Sequence, residues 1–280
     1  MNIDSHQHFW RLDRGDYNWL TPDLAALYRD FLPEDLEPLL RASGVDGTIA
    51  VQAADSEAET EYLLSLADRF EWIIGVVGWV DLAAQTAPGS IKRLARHPKL
   101  VGLRPMIQDL EDDGWMLREE LRPAITTMID HNLTFDALVL PRHLDHLKMF
   151  LARYPSLTVV IDHCAKPEIR NDEMEPWSSQ IAQIAEFPNT FCKLSGLVTE
   201  AREDWAESDL RPYIDHILRV FGQRRIMFGS DWPVVNLASD YEQWHSLFKS
   251  FTQDMSKQDQ HSFMSTAALE AYPRIRPTAV

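Results

Sequence analysis

The chain has 280 residues, 45% hydrophobic and 25% charged, which is enough apolar material for one large core and an ordinary length for a single α/β barrel. Its formal net charge of −16 repels phosphate backbones and anionic lipid, excluding nucleic acid and membrane surfaces as expected partners. Cys164 and Cys192 lack CxxC spacing, no basic stretch leads into a short apolar core near the start, and no apolar run is bilayer-length. The expected setting is therefore a reducing cytoplasm, without a disulfide framework, zinc ribbon or signal peptide.

Eight strand-like runs alternate with helical segments. NIDSH (2–6) comes first, then a helix over 33–44 that stops at Gly44. GTIAVQA (47–53) leads to a helix over 56–70, where Ser56 and Glu59 have capping-box spacing. WIIGVVGWV (72–80), LVGLRPMI (100–107) and LTFDALVL (133–140) are followed by helical patterns over 89–98, 118–132 and 142–155. LTVVIDH (157–163), TFCKLS (190–195) and RIMFGS (225–230) precede helices over 175–188, over 210–222 and within 239–272. Most runs are β-branched, and several are apolar on both faces, as buried parallel strands are. With no linker or composition break, the pattern predicts one (β/α)8 TIM barrel over residues 1–280. No GxGxxG or GxxxxGK[ST] loop follows a strand, which argues against a nucleotide-binding open sheet.

A barrel of this kind places its chemistry at the carboxyl ends of its strands. Those ends carry His6 and His8, Gln52, Trp79 and Asp81, Arg104, Asp136, His163 and Lys166, Lys193 and Ser195, and finally Asp231 and Trp232. His6 and His8 are two apart, so both rings project to one face. Taken singly, each residue has a structural reading. Asp231 suits a helix cap, Trp19, Trp79 and Trp232 suit a core, Lys166 and Lys193 suit solvent, and Gln52, Asp81 and Asp136 suit structural roles. As a set, His6, His8, His163 and Asp231 belong to strands that meet at one barrel end, which packing does not explain. The other seven histidines fall on helices or loops and receive no role.

The segments DSHQHFW, IDHCAKP, CKLSGLVTEA and MFGSDWPV together resemble the amidohydrolase superfamily, from Asn2 to about Pro273. Within it they are most similar to sugar lactonases of the L-fuconolactonase type, on a branch shared with L-rhamnonolactonases and 2-pyrone-4,6-dicarboxylate lactonases. Binuclear members of that superfamily carry a bridging anionic ligand on strand four and a histidine on strand five. This chain has Arg104 and LTFDALVL there. At most one divalent ion, such as zinc, is then expected, on His6, His8 and Asp231 with His163 nearby, and the resemblance implies that hydrolysis proceeds without it.

Opening a cyclic ester needs an activated water, a polarised carbonyl and a stabilised oxyanion. The expected roles are Asp231 as general base, later protonating the ring oxygen, and His6, His8 and His163 as N–H donors to the carbonyl. One such donor is worth roughly 3–4 kcal/mol. Trp19, Gln52, Trp79, Arg104, Lys166 and Trp232 are the expected substrate contacts. A dicarboxylate would need several arginines, and only Arg104, with Arg202 as a second, is in position, so a neutral aldonolactone is favoured. Rival readings are a decarboxylase or lactone isomerase on the same scaffold and a sugar-acid-binding barrel without turnover. The sequence leaves the oligomeric state open.

Overall fold

The computed structural model describes residues 1–276. Its eight strands are β1 (Ile3–Gln7), β2 (Gly47–Val51), β3 (Ile73–Gly78), β4 (Leu100–Leu103), β5 (Thr134–Ala137), β6 (Val159–Ile161), β7 (Thr190–Leu194) and β8 (Ile226–Phe228). Each pairs in parallel with the next. The ring closes between β1 and β8 through a parallel bridge of Gln7 with Trp232, with His8 N–H donating to Trp232 O at 2.7 Å and Asp231 N–H to His6 O at 2.8 Å. The expected (β/α)8 barrel is thus present.

The helices are α1 (Pro33–Ser43), α2 (Glu57–Arg69), α3 (Ala87–Leu94), α4 (Arg122–Asp130), α5 (Leu144–Arg153), α6 (Trp177–Ala185), α7 (Leu197–Glu200), α8 (Glu207–Phe221), α9 (Tyr241–Thr252), α10 (Lys257–His261) and α11 (Ala267–Ala271). Among the described residues, no helix is long and apolar enough to cross a membrane. Helix α1 stops as expected, at Gly44 with φ +68°. The capping box at α2 is only half formed. Ser56 accepts the Glu59 N–H at 3.0 Å, but the Glu59 carboxylate turns away to the N–H groups of Ala53 and Ala54 at 2.8–3.0 Å. Those two donors lie in the buried loop after β2 and would otherwise be orphaned.

Period-two alternation sorts the side chains. Val51, Val77, Val101, Val160, Phe191 and Met227 form an inner apolar cluster with Ala267, Ala271 and Tyr272. Helix α11 therefore plugs the amino-terminal mouth, and Arg274 ties it down through the carbonyls of Ala95, His97 and Leu100. With that mouth filled, the carboxyl-end mouth is left for a site.

Candidate active site

Four predicted residues converge at that mouth. Asp231 Oδ1 lies 3.3 Å from His8 Nε2, 3.7 Å from His6 Nε2 and 3.9 Å from His163 Nε2. His6 ends up inward because the register of β1 against β2 slips between Asp4 and Gln7, a local irregularity that re-aims side chains. Glycines make room for the rings. A Cβ on Gly229 would stand 2.8 Å from His6 Cβ, and one on Gly196 would stand 2.5 Å from His163 Nδ1.

Strand six ends two residues earlier than expected, at Ile161. His163, Cys164, Ala165 and Lys166 then all take positive φ, between 51° and 59°, in one left-handed turn closed by Lys166 N–H to His163 O at 2.8 Å. Such a conformation costs a non-glycine residue roughly 1–2 kcal/mol. Trp177 Nε1, donating to Cys164 O at 2.8 Å, helps hold it. Strain retained in this way clusters at functional sites. Asp231 is also left-handed, at φ +57°, and its side chain faces the imidazoles. The helix-cap reading of Asp231 is not realised, since the short helical turn after it has no side-chain cap.

Beneath the imidazoles lies a buried charged layer that the sequence reading missed. Lys193, expected in solvent, is wholly buried, 2.6 Å from Asp136 Oδ2 and 3.0 Å from Asp162 Oδ1. Tyr272 donates to Asp136 Oδ2 at 2.7 Å, and Asp162 Oδ1 reaches His6 Nδ1 at 3.4 Å. The alternation of β7 was the available signal: Phe191 points inward, so Lys193 does too. Burial, followed by the Lys193 ammonium, holds His6 well below the usual imidazole range. Burial also lowers His163 to about 4, against the pull of Asp231 and Asp162. Burial alone would raise Asp231, but His163, His8 and His6 around it hold it well below the carboxylate range, so it is ionised.

The tautomers follow from the partners. His8 Nδ1 faces the Val51 carbonyl at 2.8 Å, and a carbonyl only accepts, so Nδ1 carries the proton and a neutral His8 presents a lone pair at Nε2. In that tautomer Nε2 of His8 accepts, and the expected donation from His8 to a carbonyl would need a second proton on the ring. His6 Nδ1 faces a carboxylate, which favours the same tautomer. The two Nε2 atoms are 3.2 Å apart and so need a shared proton or a cation between them. His163 Nδ1 sits 2.9 Å from Ser195 Oγ, whose hydroxyl can donate and leave Nε2–H free toward the cleft.

These groups fit a single metal ion. Ligand atoms of His6, His163 and Asp231 all lie within 4.8 Å of one another, and His8 is as close to His6 and Asp231. Nitrogen lone pairs with one carboxylate, each imidazole held from behind by a carbonyl, carboxylate or hydroxyl, suit zinc. The positions a second ion would use are taken differently. Asp136 of β5 is bound to Lys193, and Arg104 after β4 is pinned by Asp162 at 3.4 Å and by the Gln52 carbonyl.

Above this floor is a cleft of about 300 Å³. Of the six expected substrate contacts, Trp19, Arg104 and Lys166 line it. Trp19 is 36% exposed, with Nε1 donating to Ala53 O at 2.7 Å. The other three do not line it. Gln52 is buried behind the wall, donating to Arg104 O at 2.7 Å. The backbone of Trp79 is tied to the Thr60 hydroxyl of α2. Trp232 is core, edge-on to Phe9 and Phe31 with ring centres 6.0 and 5.3 Å away. Arg202 faces a neighbouring depression, near Asp204 and Asp209. Wall residues not anticipated are Gln108 and Asp109 after β4, Thr199 and Glu200 of α7, and the apolar Met106 and Leu138. Looking one turn beyond each strand end would have found Glu200.

A parallel barrel that gathers imidazoles around one carboxylate at its carboxyl-end mouth has the layout of a hydrolytic barrel, and the chain belongs to the amidohydrolase family, whose sequence profile matches residues 3–274. Among curated proteins it is similar to an L-fucono-1,5-lactonase of Burkholderia ambifaria, 49% identical across 86% of this chain and 84% of that protein. It is also similar to an L-fucono-1,5-lactonase of Burkholderia multivorans, 36% identical across 99% and 97% of the two chains. A crystal structure of a Burkholderia multivorans amidohydrolase with bound zinc superposes with a TM-score of 0.91 at 36% identity, covering 98% of this chain and 99% of that one.

Proposed function

We propose that the protein hydrolyses a neutral sugar lactone, L-fucono-1,5-lactone or a close stereoisomer, to the open-chain sugar acid. The observation that carries this reading is the ionised Asp231 among three imidazoles on the floor of a cleft that, with Asp231 counted, is lined by more carboxylates than cations. Arg104 and Lys166 stand against Asp109, Glu200 and Asp231, and both cations already face carboxylates, Asp162 and Glu200. Such a wall suits an uncharged polyol and lacks the free cations a dicarboxylate needs. It also repels the carboxylate product, which favours release.

In the proposed reaction Asp231 accepts a proton from water as the oxygen attacks the lactone carbonyl, and His163 Nε2–H donates to the developing oxyanion. Collapse breaks the bond between the carbonyl carbon and the ring oxygen, and Asp231 returns the proton to that oxygen. A base held this low is ionised at every working pH but weakly basic, so the reading leans on strong carbonyl polarisation. A zinc ion held by His6, His8 and Asp231, with His163 as a further ligand only in its Nδ1–H tautomer, would supply Lewis acidity at the same place. The reading takes that ion to be single and dispensable, and takes the protein to be cytoplasmic, which suits its two free thiols.

A pH-indicator assay with L-fucono-, galactono- and arabinonolactones and a pyrone-dicarboxylate, before and after chelation, tests this. Proton release with at least one aldonolactone, surviving chelation, is expected. Turnover of the dicarboxylate alone would replace the substrate, and activity lost on chelation and restored by zinc would make the ion essential.

A further inference from the structure

The strained turn after β6 does more than deliver His163. In a turn with three residues per revolution, positions i and i+3 lie over one another. His163 and Lys166 therefore face the same way, and both line the cleft. Across from Lys166, Glu200 closes the one-turn helix α7, and its Oε1 is 3.6 Å from Lys166 Nζ. That distance is longer than a hydrogen bond, and neither group has another side-chain partner among the described residues. Both side chains are mostly buried, 21% and 27% exposed. Burial raises the Glu200 carboxyl, with Lys166 opposing. Two desolvated polar groups with unspent hydrogen-bonding capacity thus stand side by side in the wall of the cleft that holds Asp231. An ammonium offers three donors and a carboxylate offers only acceptors. Together they are neutral, so they do not select for charge.

We propose that Lys166 and Glu200 form a subsite that reads two neighbouring hydroxyl groups of the substrate ring, Glu200 accepting from one and Lys166 donating to the other. The subsite decides which polyol ring is held over Asp231. It rests on the sugar-lactone reading for its substrate class but not on hydrolysis itself.

The test separates the two. Binding is measured by calorimetry with a polyhydroxylated δ-lactam, a hydrolysis-resistant ring of the fuconolactone stereochemistry, and with unsubstituted δ-valerolactam. The proteins are wild type, Glu200→Gln, Lys166→Met and the double variant, which restores charge balance. Kinetics use the corresponding lactones, including δ-valerolactone. Each single variant should weaken binding of the hydroxylated ring by about 10- to 100-fold, the range for a hydrogen bond to a charged group, while the unsubstituted ring changes less than about threefold. In kinetics the loss should fall mainly on KM for the hydroxylated lactone. Equal losses on both rings, or no loss on either, would overturn the subsite. Lactam binding that depends on Lys166 and Glu200 without turnover of any lactone would keep the subsite and remove the hydrolase reading.

Discussion

Lys193 and Asp162 form an ion pair of 3.0 Å with no solvent exposure, one layer beneath His6, and Lys193 also holds Asp136 at 2.6 Å. Lys193 therefore bridges two buried carboxylates, and Asp162 has buried Arg104 as a second cation at 3.4 Å. Lys193→Met keeps the length of the side chain but leaves Asp136 with only Tyr272. Removing one partner of a buried pair costs about 3–5 kcal/mol, so the variant should lose that much in urea unfolding. Adding Asp136→Asn, which removes the uncompensated charge, should recover part of the loss. An unchanged midpoint for Lys193→Met would mean that the layer is not ionised.

Asp231→Asn isolates the proposed base. Asparagine tolerates the left-handed backbone at φ +57° and keeps the side-chain size. Lactone turnover should fall by about 10²- to 10⁴-fold with little change in the thermal melt. Near-normal turnover would leave water activation to the imidazoles or to a bound ion.

Gly196 has φ +64°, and a Cβ there would meet the His163 ring at 2.5 Å. Gly44 has φ +68° with nothing within 4 Å. Gly44→Ala should cost about 1 kcal/mol of stability and no activity. Gly196→Ala should cost about 1–3 kcal/mol and also reduce kcat/KM by at least about tenfold, because His163 must move. Equal activity in the two variants would show that His163 is not held by this contact.

Glu59 supplies a pH test of stability. Burial raises its carboxyl from 4.5 to about 8, with the Ala54 and Ala53 N–H groups opposing. A raised folded pKa means that the folded state prefers the protonated form, so stability is fully present below pH 4.5 and is lost as pH rises through 8. Glu59→Gln does not titrate. Its melting temperature relative to wild type should therefore climb between pH 4.5 and 8 and level off above that. A flat difference across that window would show that the two N–H donors offset burial.

Alternation of apolar runs with helical patterns made the barrel legible in the sequence, because burial on both faces and helical periodicity are one-dimensional signals. The His6–His8 spacing and the order of strand ends were legible for the same reason: in a barrel, chain order dictates which ends are neighbours. Other features depend on contacts between distant residues. IDHCAK contains no glycine, and nothing local foretells four left-handed residues. That backbone persists because Trp177 and the surrounding packing hold it, and only it brings Lys166 beside His163. Trp232 and Gln52 occupy strand ends like the catalytic candidates, yet the aromatic cluster claims one and the backbone of Arg104 the other. Lys193 reads as a surface charge until β5 and β6 bring Asp136 and Asp162 against it. The sequence by itself determined the barrel and which residues reach its mouth. Partners far apart in the chain decided which of them face the cleft, which are neutral and which are buried as ions, because burial and electrostatic pairing depend on distance in space.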